Sequence, residues 1–243
     1  MKFSEYLRGT TFESELVKAL LPIVTSHMRT AIDDINVNYG DLGSEKEKLL
    51  KRIQNYYSNL NTVINDLDIV KLFLSIEDRK KIKENYPTLE SQEEYYKYHF
   101  ENYIIRLVTL SDIIGKMGNE IFEVGIDSEK CNGYNFKDKI KTTKPDVANI
   151  IERLLSRIKE IKDKRHQKIH TGETEINQLK SIIFWDELQE IIGVENNPIL
   201  DNMTDKYIKE EIDNLETEAK EIIDIIKEFL EKSSVKVIEI NKR

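Results

Sequence analysis

Val147, Ile151, Leu154, Ile158 and Ile161 follow one another in steps of four, three, four and three residues. That spacing fits a turn of 3.6 residues and not the two-residue period of a strand, so this stretch folds as an amphipathic helix. Ile150 and Leu155 widen the stripe, and Pro145 suits the first helical turn. One more step of four lands on Arg165, and the next on Ile169. An arginine thus stands where the apolar seam asks for a hydrophobic residue. The spacing turns it towards the bundle or a subunit interface, not towards bulk water.

The same periodicity recurs along the chain. Residues 1–10 read as a short lead-in. A helix starts near Thr11, with Glu13 and Glu15 in its first turn and a stripe of Leu16, Leu20, Ile23, Val24, Met28, Ala31, Ile32 and Ile35. Pro22 lies inside it as a candidate kink. Ser44 and Glu47 form a capping box ahead of a second helix carrying Leu49, Leu50, Ile53, Tyr57, Leu60, Val63, Ile64 and Leu67. After Pro87, Ser91 and Glu94 read as another box, opening a helix with Tyr95, Tyr98, Tyr103, Ile104, Leu107, Leu110, Ile114, Met117 and Ile121 near one side. Residues 125–142 lack a period and read as a loop for a substrate or partner. After the Pro145 helix comes a shorter amphipathic stretch, Thr174 to Ile192, with Trp185. Thr204 is the expected cap of the last long helix, and the alternating tail, Ser234 to Ile240, reads as a short strand or an extended arm. The expectation is an all-α protein: one elongated helical bundle of four to five long helices, with a shorter helix after the arginine. It forms a single domain over 1–243, with N-terminal helices (1–90), a core (91–232) and a tail (233–243).

Composition bounds the function. The chain is rich in Lys, Glu, Ile and Leu, poor in Gly and Pro, and carries a net charge of −8. No global positive field draws in nucleic acid, so any such contact needs a local basic patch. A lone cysteine, Cys131, excludes an internal disulfide and a multi-cysteine zinc site. No apolar run approaches the ~20 residues of a membrane span, and Met1 to Gly9 has no signal-peptide core. The expected place is the cytoplasm, with no membrane partner.

The chemistry concentrates in Arg165-His166-Gln167-Lys168-Ile169-His170, with Gly172 two residues on. Arginine is a permanent, planar phosphate ligand. Histidine exchanges protons near neutral pH. Together they supply what RNA cleavage without a metal requires. An arginine, a polar residue, three more residues and a histidine at the end of a long bundle helix resemble the signature of the HEPN superfamily. The likeness covers about Ser91 to Leu230 in outline and is specific at these six residues. It implies an all-helical, often dimeric protein. It further implies a metal-independent endoribonuclease of phage defence or a toxin–antitoxin system, acting on single-stranded RNA without cofactor or metal, with an antitoxin or regulatory partner.

On that resemblance His170 moves protons and Arg165 stabilises transition-state charge. His166 and Asp112 support them, and Lys162, Lys164 and Lys168 contact RNA phosphates. Those lysines also suit a helix C-terminus electrostatically. Arg165 also reads as half of a structural ion pair, with Asp112 or Glu101 as partner. Residues five apart on a helix point ~140° from each other. Arg165 and His170 therefore converge only if the helix unwinds before Gly172 or a second subunit of a homodimer supplies its copy. His166 and His170, four apart, are a rival zinc pair with Glu173 as a third ligand, but no Glu follows His166 directly as in the metalloprotease pattern. His27 and His99 read as ordinary helix-surface or partly buried residues. Some HEPN toxins carry a modifiable tyrosine two residues after the histidine; Gly172 stands there, which gives no support to that control. The alternative function is a non-catalytic HEPN-like or helical interaction protein.

Overall fold

The computed structural model describes residues 2–5, 7–33, 42–74, 79–170 and 198–243, and these contain helices and no strand. A 3-10 turn, Phe3–Glu5, precedes α1 (Thr11–Asp33), α2 (Glu45–Phe73), α3 (Arg79–Asn85), α4 (Leu89–Ile121), α5 (Gly133–Ile140), α6 (Pro145–His170) and α7 (Pro198–Lys242). Five of these are long, from the 23 residues of α1 to the 45 of α7. The Thr174–Ile192 stretch and Ile35 lie outside the described residues.

The expected starts hold where a cap supplies the missing partner. Thr10 Oγ1 accepts the Glu13 amide at 3.2 Å and Glu231 accepts the Thr11 amide at 2.9 Å, which sets the start of α1. The Ser44–Glu47 box forms as read: the Ser44 amide donates to Glu47 at 2.7 Å and the Glu47 amide to Ser44 Oγ at 3.3 Å. These bonds to Ser44 hold the Glu47 carboxyl below its usual value. The second box sits three residues earlier than expected. Thr88 is the cap and Ser91 its reciprocal partner, each amide donating to the other's hydroxyl at 3.2 Å. Ser91 thus belongs to the first turn of α4, and Glu94 is not its partner there. The last helix likewise starts at Pro198, not after a Thr204 cap: proline presets φ for a first turn, and Thr204 falls inside α7.

The chain forms two compact units, 1–65 with 108–156 and 222–243, and 66–107 with 157–221; α2, α4, α6 and α7 contribute to both. In the first unit the expected stripes are buried: Leu16, Leu20 and Ile23 of α1, Leu50, Ile53 and Leu60 of α2, Ile114, Met117 and Ile121 of α4. Phe3, Leu7 and Phe12 are buried too, so the lead-in belongs to the core.

Two readings are corrected in this unit. Residues 125–142 are not all loop. Asn132 caps α5 by accepting the Asn135 amide at 2.9 Å, and Gly133, Phe136 and Ile140 are buried. The approach is close: a Cβ on Gly115 of α4 would lie 2.5 Å from the Asn132 backbone, and one on Gly118 would meet the Phe136 ring. Asn119 brackets the connection, exchanging two 2.9 Å bonds with the Ile126 backbone. The tail is neither strand nor arm. α7 runs on to Lys242, burying Leu230, Ser233, Ser234, Val237 and Ile240 at helical spacing, and this seam overrides the strand preference of Val and Ile.

The second unit holds the C-terminal part of α2, α3, the first part of α4, the end of α6 and the beginning of α7. Tyr103 is buried and its hydroxyl donates to the Leu215 carbonyl at 2.9 Å. Lys71–Glu216 at 2.6 Å and Arg106–Asp66 at 3.3 Å tie its helices at the surface. Tyr98, expected on the core side of α4, is 63% exposed; the buried neighbour is Tyr96.

Candidate functional site

The helix that carries the motif is built as its periodicity demands. Pro145 opens α6, and Val147, Ile150, Ile151, Leu154, Leu155, Ile158 and Ile161 are all buried. At its N-terminal end Asp146 pairs with Lys232 at 2.6 Å, and this bond, with the first-turn amides, holds the carboxyl below its usual value. Within the first unit Arg153 reaches both oxygens of Glu228, at 3.0 and 2.9 Å. An open groove of about 570 Å³ lies there, lined among others by Asp146, Arg153, Glu228 and Lys232. Its cations already face carboxylates, so it offers an anion little.

In the second unit Arg157 bridges Glu160 at 2.9 Å and Glu221 at 2.6 Å. Burial opposes its charge, but the two carboxylates prevail and its pKa rises. Beyond it the expected RNA ligands Lys162 and Lys164 are exposed on α6. Arg165, His166, Lys168 and His170 all lie on the same helix, which runs unbroken to His170. Their side chains are outside the described residues, as are Gly172 and Glu173. The backbone decides one point. Positions 165 and 170 stand ~140° apart around a continuous helix, so the first of the two routes to convergence, unwinding, does not operate between them.

Asp112, the expected partner of the arginine, is half-buried in the first unit on α4. It stands near Cys131, whose thiol is pushed up by burial first, with Glu120 and Asp112 adding to the effect and Lys116 opposing it. A buried thiol held protonated is a poor metal ligand. Among the described residues no group of His, Cys, Asp and Glu is arranged to hold a metal ion. No helix among them is long and apolar enough to cross a membrane.

His99 is buried in the second unit, stacked on Phe73 at 4.9 Å and edge-on to Tyr95 at 4.4 Å and Tyr98 at 5.2 Å. Its Nδ1 has no hydrogen-bond partner, and burial lowers its pKa. It is a core histidine, deeper than the helix-surface or partly buried residue expected. Glu211 of α7, buried in the second unit, went unread.

A family model described as HEPN_Cthe2314-like HEPN matches residues 49–239, which takes the likeness from Ser91 back into α2. No curated protein and no solved structure matches the chain.

Proposed function

We propose, for a chain that belongs to the HEPN superfamily, a metal-independent endoribonuclease that cuts single-stranded RNA, in phage defence or a toxin–antitoxin system in the cytoplasm. The observation that carries the reading is the placement of Arg165 and His170 on one unbroken helix inside the family match. The RNA supplies the nucleophile. Its 2′-oxygen attacks phosphorus, the bond to the 5′-oxygen breaks, and the products are a 2′,3′-cyclic phosphate and a 5′-hydroxyl. His170 takes or returns a proton, as suits an imidazole with an unperturbed pKa of about 6.5. Arg165 stabilises the added negative charge on the phosphorane-like transition state. His166 and Asp112 are supporting residues, and Lys162, Lys164 and Lys168 hold the RNA backbone.

The ~140° between positions 165 and 170 favours a homodimer in which each composite site draws on both copies. The whole of 1–243 acts as one HEPN domain, and an antitoxin or regulatory partner restrains it. Arg165→Ala and His170→Ala should each lower kcat by about 10²- to 10³-fold, the usual loss for a transition-state group. His166→Ala should lower it much less, and helix content should not change. Equal losses at His166 and His170, both deepened by EDTA, would point to zinc instead. Intact binding of a partner with no cleavage by the wild type would point to an interaction protein.

A further inference from the structure

Residues 130–144 hold five lysines and one acid, Asp138, in a chain whose net charge is −8. The segment belongs to the first unit, and its backbone is tied down along its length. Phe136 and Ile140 of α5 are buried. The Lys130 carbonyl accepts the Asn135 side-chain amide at 2.6 Å, and the Lys144 amide closes the turn into α6 by donating to the Ile140 carbonyl at 2.8 Å. With that face turned inward, Lys130, Tyr134, Lys139, Lys141 and Lys144 are all exposed. Tyr134 and Lys141 stand seven residues apart, on one side of the helix. Lys139 stands one turn past Asn135, the residue bonded to the Lys130 carbonyl.

Elsewhere in this unit exposed cations meet carboxylates: Arg52 with Glu120 at 2.8 Å, Arg153 with Glu228 at 2.9 Å, Lys232 with Asp146 at 2.6 Å and Arg243 with Glu123 at 2.7 Å. Among the described residues, Lys137 alone of the five lysines is in an ion pair, with Glu152 at 2.6 Å and Asp138 at 3.4 Å. Lys144 acts on Glu239 through space, but that carboxylate is held first by Lys236 at 3.0 Å. The acids Asp127 and Glu129 lie just before Lys130, where the Glu129 amide donates to Asp127 at 2.9 Å. Lysines in a last turn complement the helix dipole. That accounts for Lys137 and Lys139, but not for Lys130, ahead of the helix, or Lys144, past the turn. Tyr134 is the one large apolar side chain exposed in the segment. The surface therefore lacks the apolar centre of a protein interface and the inserting face of a membrane-bound helix. Cations around one exposed ring suit a single-stranded nucleic acid, whose phosphates meet the lysines and whose bases stack on the aromatic. We propose that this face of α5 is a second RNA contact, in which Lys130, Lys139, Lys141 and Lys144 take backbone phosphates and Tyr134 takes a base. Its part in holding substrate rests on the ribonuclease reading; the contact itself does not.

The test is equilibrium binding of a fluorescein-labelled, mixed-sequence single-stranded RNA to the full chain carrying His170→Ala, which leaves the RNA whole. Lys130→Gln, Lys139→Gln, Lys141→Gln and Lys144→Gln combined should weaken binding about 10-fold or more at moderate salt. They should also make the slope of log K against log salt shallower by about 2 to 3, since each phosphate contact on a single strand contributes about 0.7. Tyr134→Ala should weaken binding about 5-fold or more with the slope unchanged. With His170 restored, the four lysine changes should raise KM for long RNA and leave kcat little changed. No binding by the parent, or an unchanged Kd and slope in the four-lysine variant, would overturn the proposal. If the four changes together unfold the chain, Lys139→Gln with Lys141→Gln should still take about 1 off the slope, and an unchanged slope would overturn it. Preference for poly-glutamate or for phosphatidylglycerol vesicles over RNA, lost in the same variant, would assign the face to an acidic protein or a membrane instead. RNA bound in this way but left uncut by wild type would sink the ribonuclease reading and keep the contact; RNA cut normally, with the lysine variant binding as tightly as its parent, would do the reverse.

Discussion

Position 165 shows how much a single residue can be read for. Four apolar steps placed it on a seam, and the helix does run through it. What the α6 pattern cannot reveal is which residue of another helix faces that position, because register between helices is not fixed by spacing within one. Two other titratable residues give predictions with a definite sign. Glu47, held below its usual value by the Ser44 box, contributes stability at neutral pH that is lost as pH falls below the ordinary carboxylate range and through its lowered value. Ser44→Ala should cost about 1 kcal/mol at pH 7, and much less in acid, as read from chemical denaturation at both pH values. His99 has its pKa lowered by burial. The unfolded state therefore takes up a proton first, and the stability His99 confers above an unfolded pKa of about 6.5 is lost as pH falls through the depressed value. His99→Phe, which keeps the stack on Phe73 and removes an unpartnered buried nitrogen, should flatten the melting temperature between pH 7 and pH 5 relative to wild type.

Among the elements, long stripes were legible and short or punctuated ones were not. α2 and α6 follow their apolar positions almost residue for residue because each buries one face over many turns. α5 was missed because eight residues with two glycine-rich approaches leave no period to detect. Its existence depends on Gly115 and Gly118, which lie on a different helix. Gly115→Ala is the discriminating change. Helix propensity alone favours alanine by about 1 kcal/mol, yet a Cβ there would lie 2.5 Å from the Asn132 backbone, which cannot swing aside. The variant should melt lower than wild type and be cut faster by protease within 122–144; a higher melting temperature would show that α5 does not sit against α4 in this way. The tail of α7 was misread for the opposite reason. Val235, Val237, Ile238 and Ile240 carry strand propensity and alternate. Val237 and Ile240, however, continue the seam that Leu230 and Ser234 begin, and burial decides.

For the molecule as a whole, the all-helical class and membership of the HEPN superfamily were both open to a reader of the sequence, the first from periodicity and the second from six residues. The division of contacts into two units was not, because it depends on how side chains meet along helices that contribute to both. At this scale the proposal is a dimer, since positions 165 and 170 stand ~140° apart around one copy's helix. Mixing inactive Arg165→Ala and His170→Ala chains should restore measurable cleavage, which neither shows alone; no recovery on mixing would place the complete site within one copy. The central claim, that this chain cuts RNA by its own 2′-hydroxyl, is met most directly by incubating purified protein with a broad panel of single-stranded RNAs in EDTA and reading the new ends. We expect cleavage that EDTA leaves intact, with 2′,3′-cyclic phosphate and 5′-hydroxyl termini, lost in Arg165→Ala and His170→Ala. RNA left uncut by dimeric wild-type protein, or ends of any other kind, would contradict it.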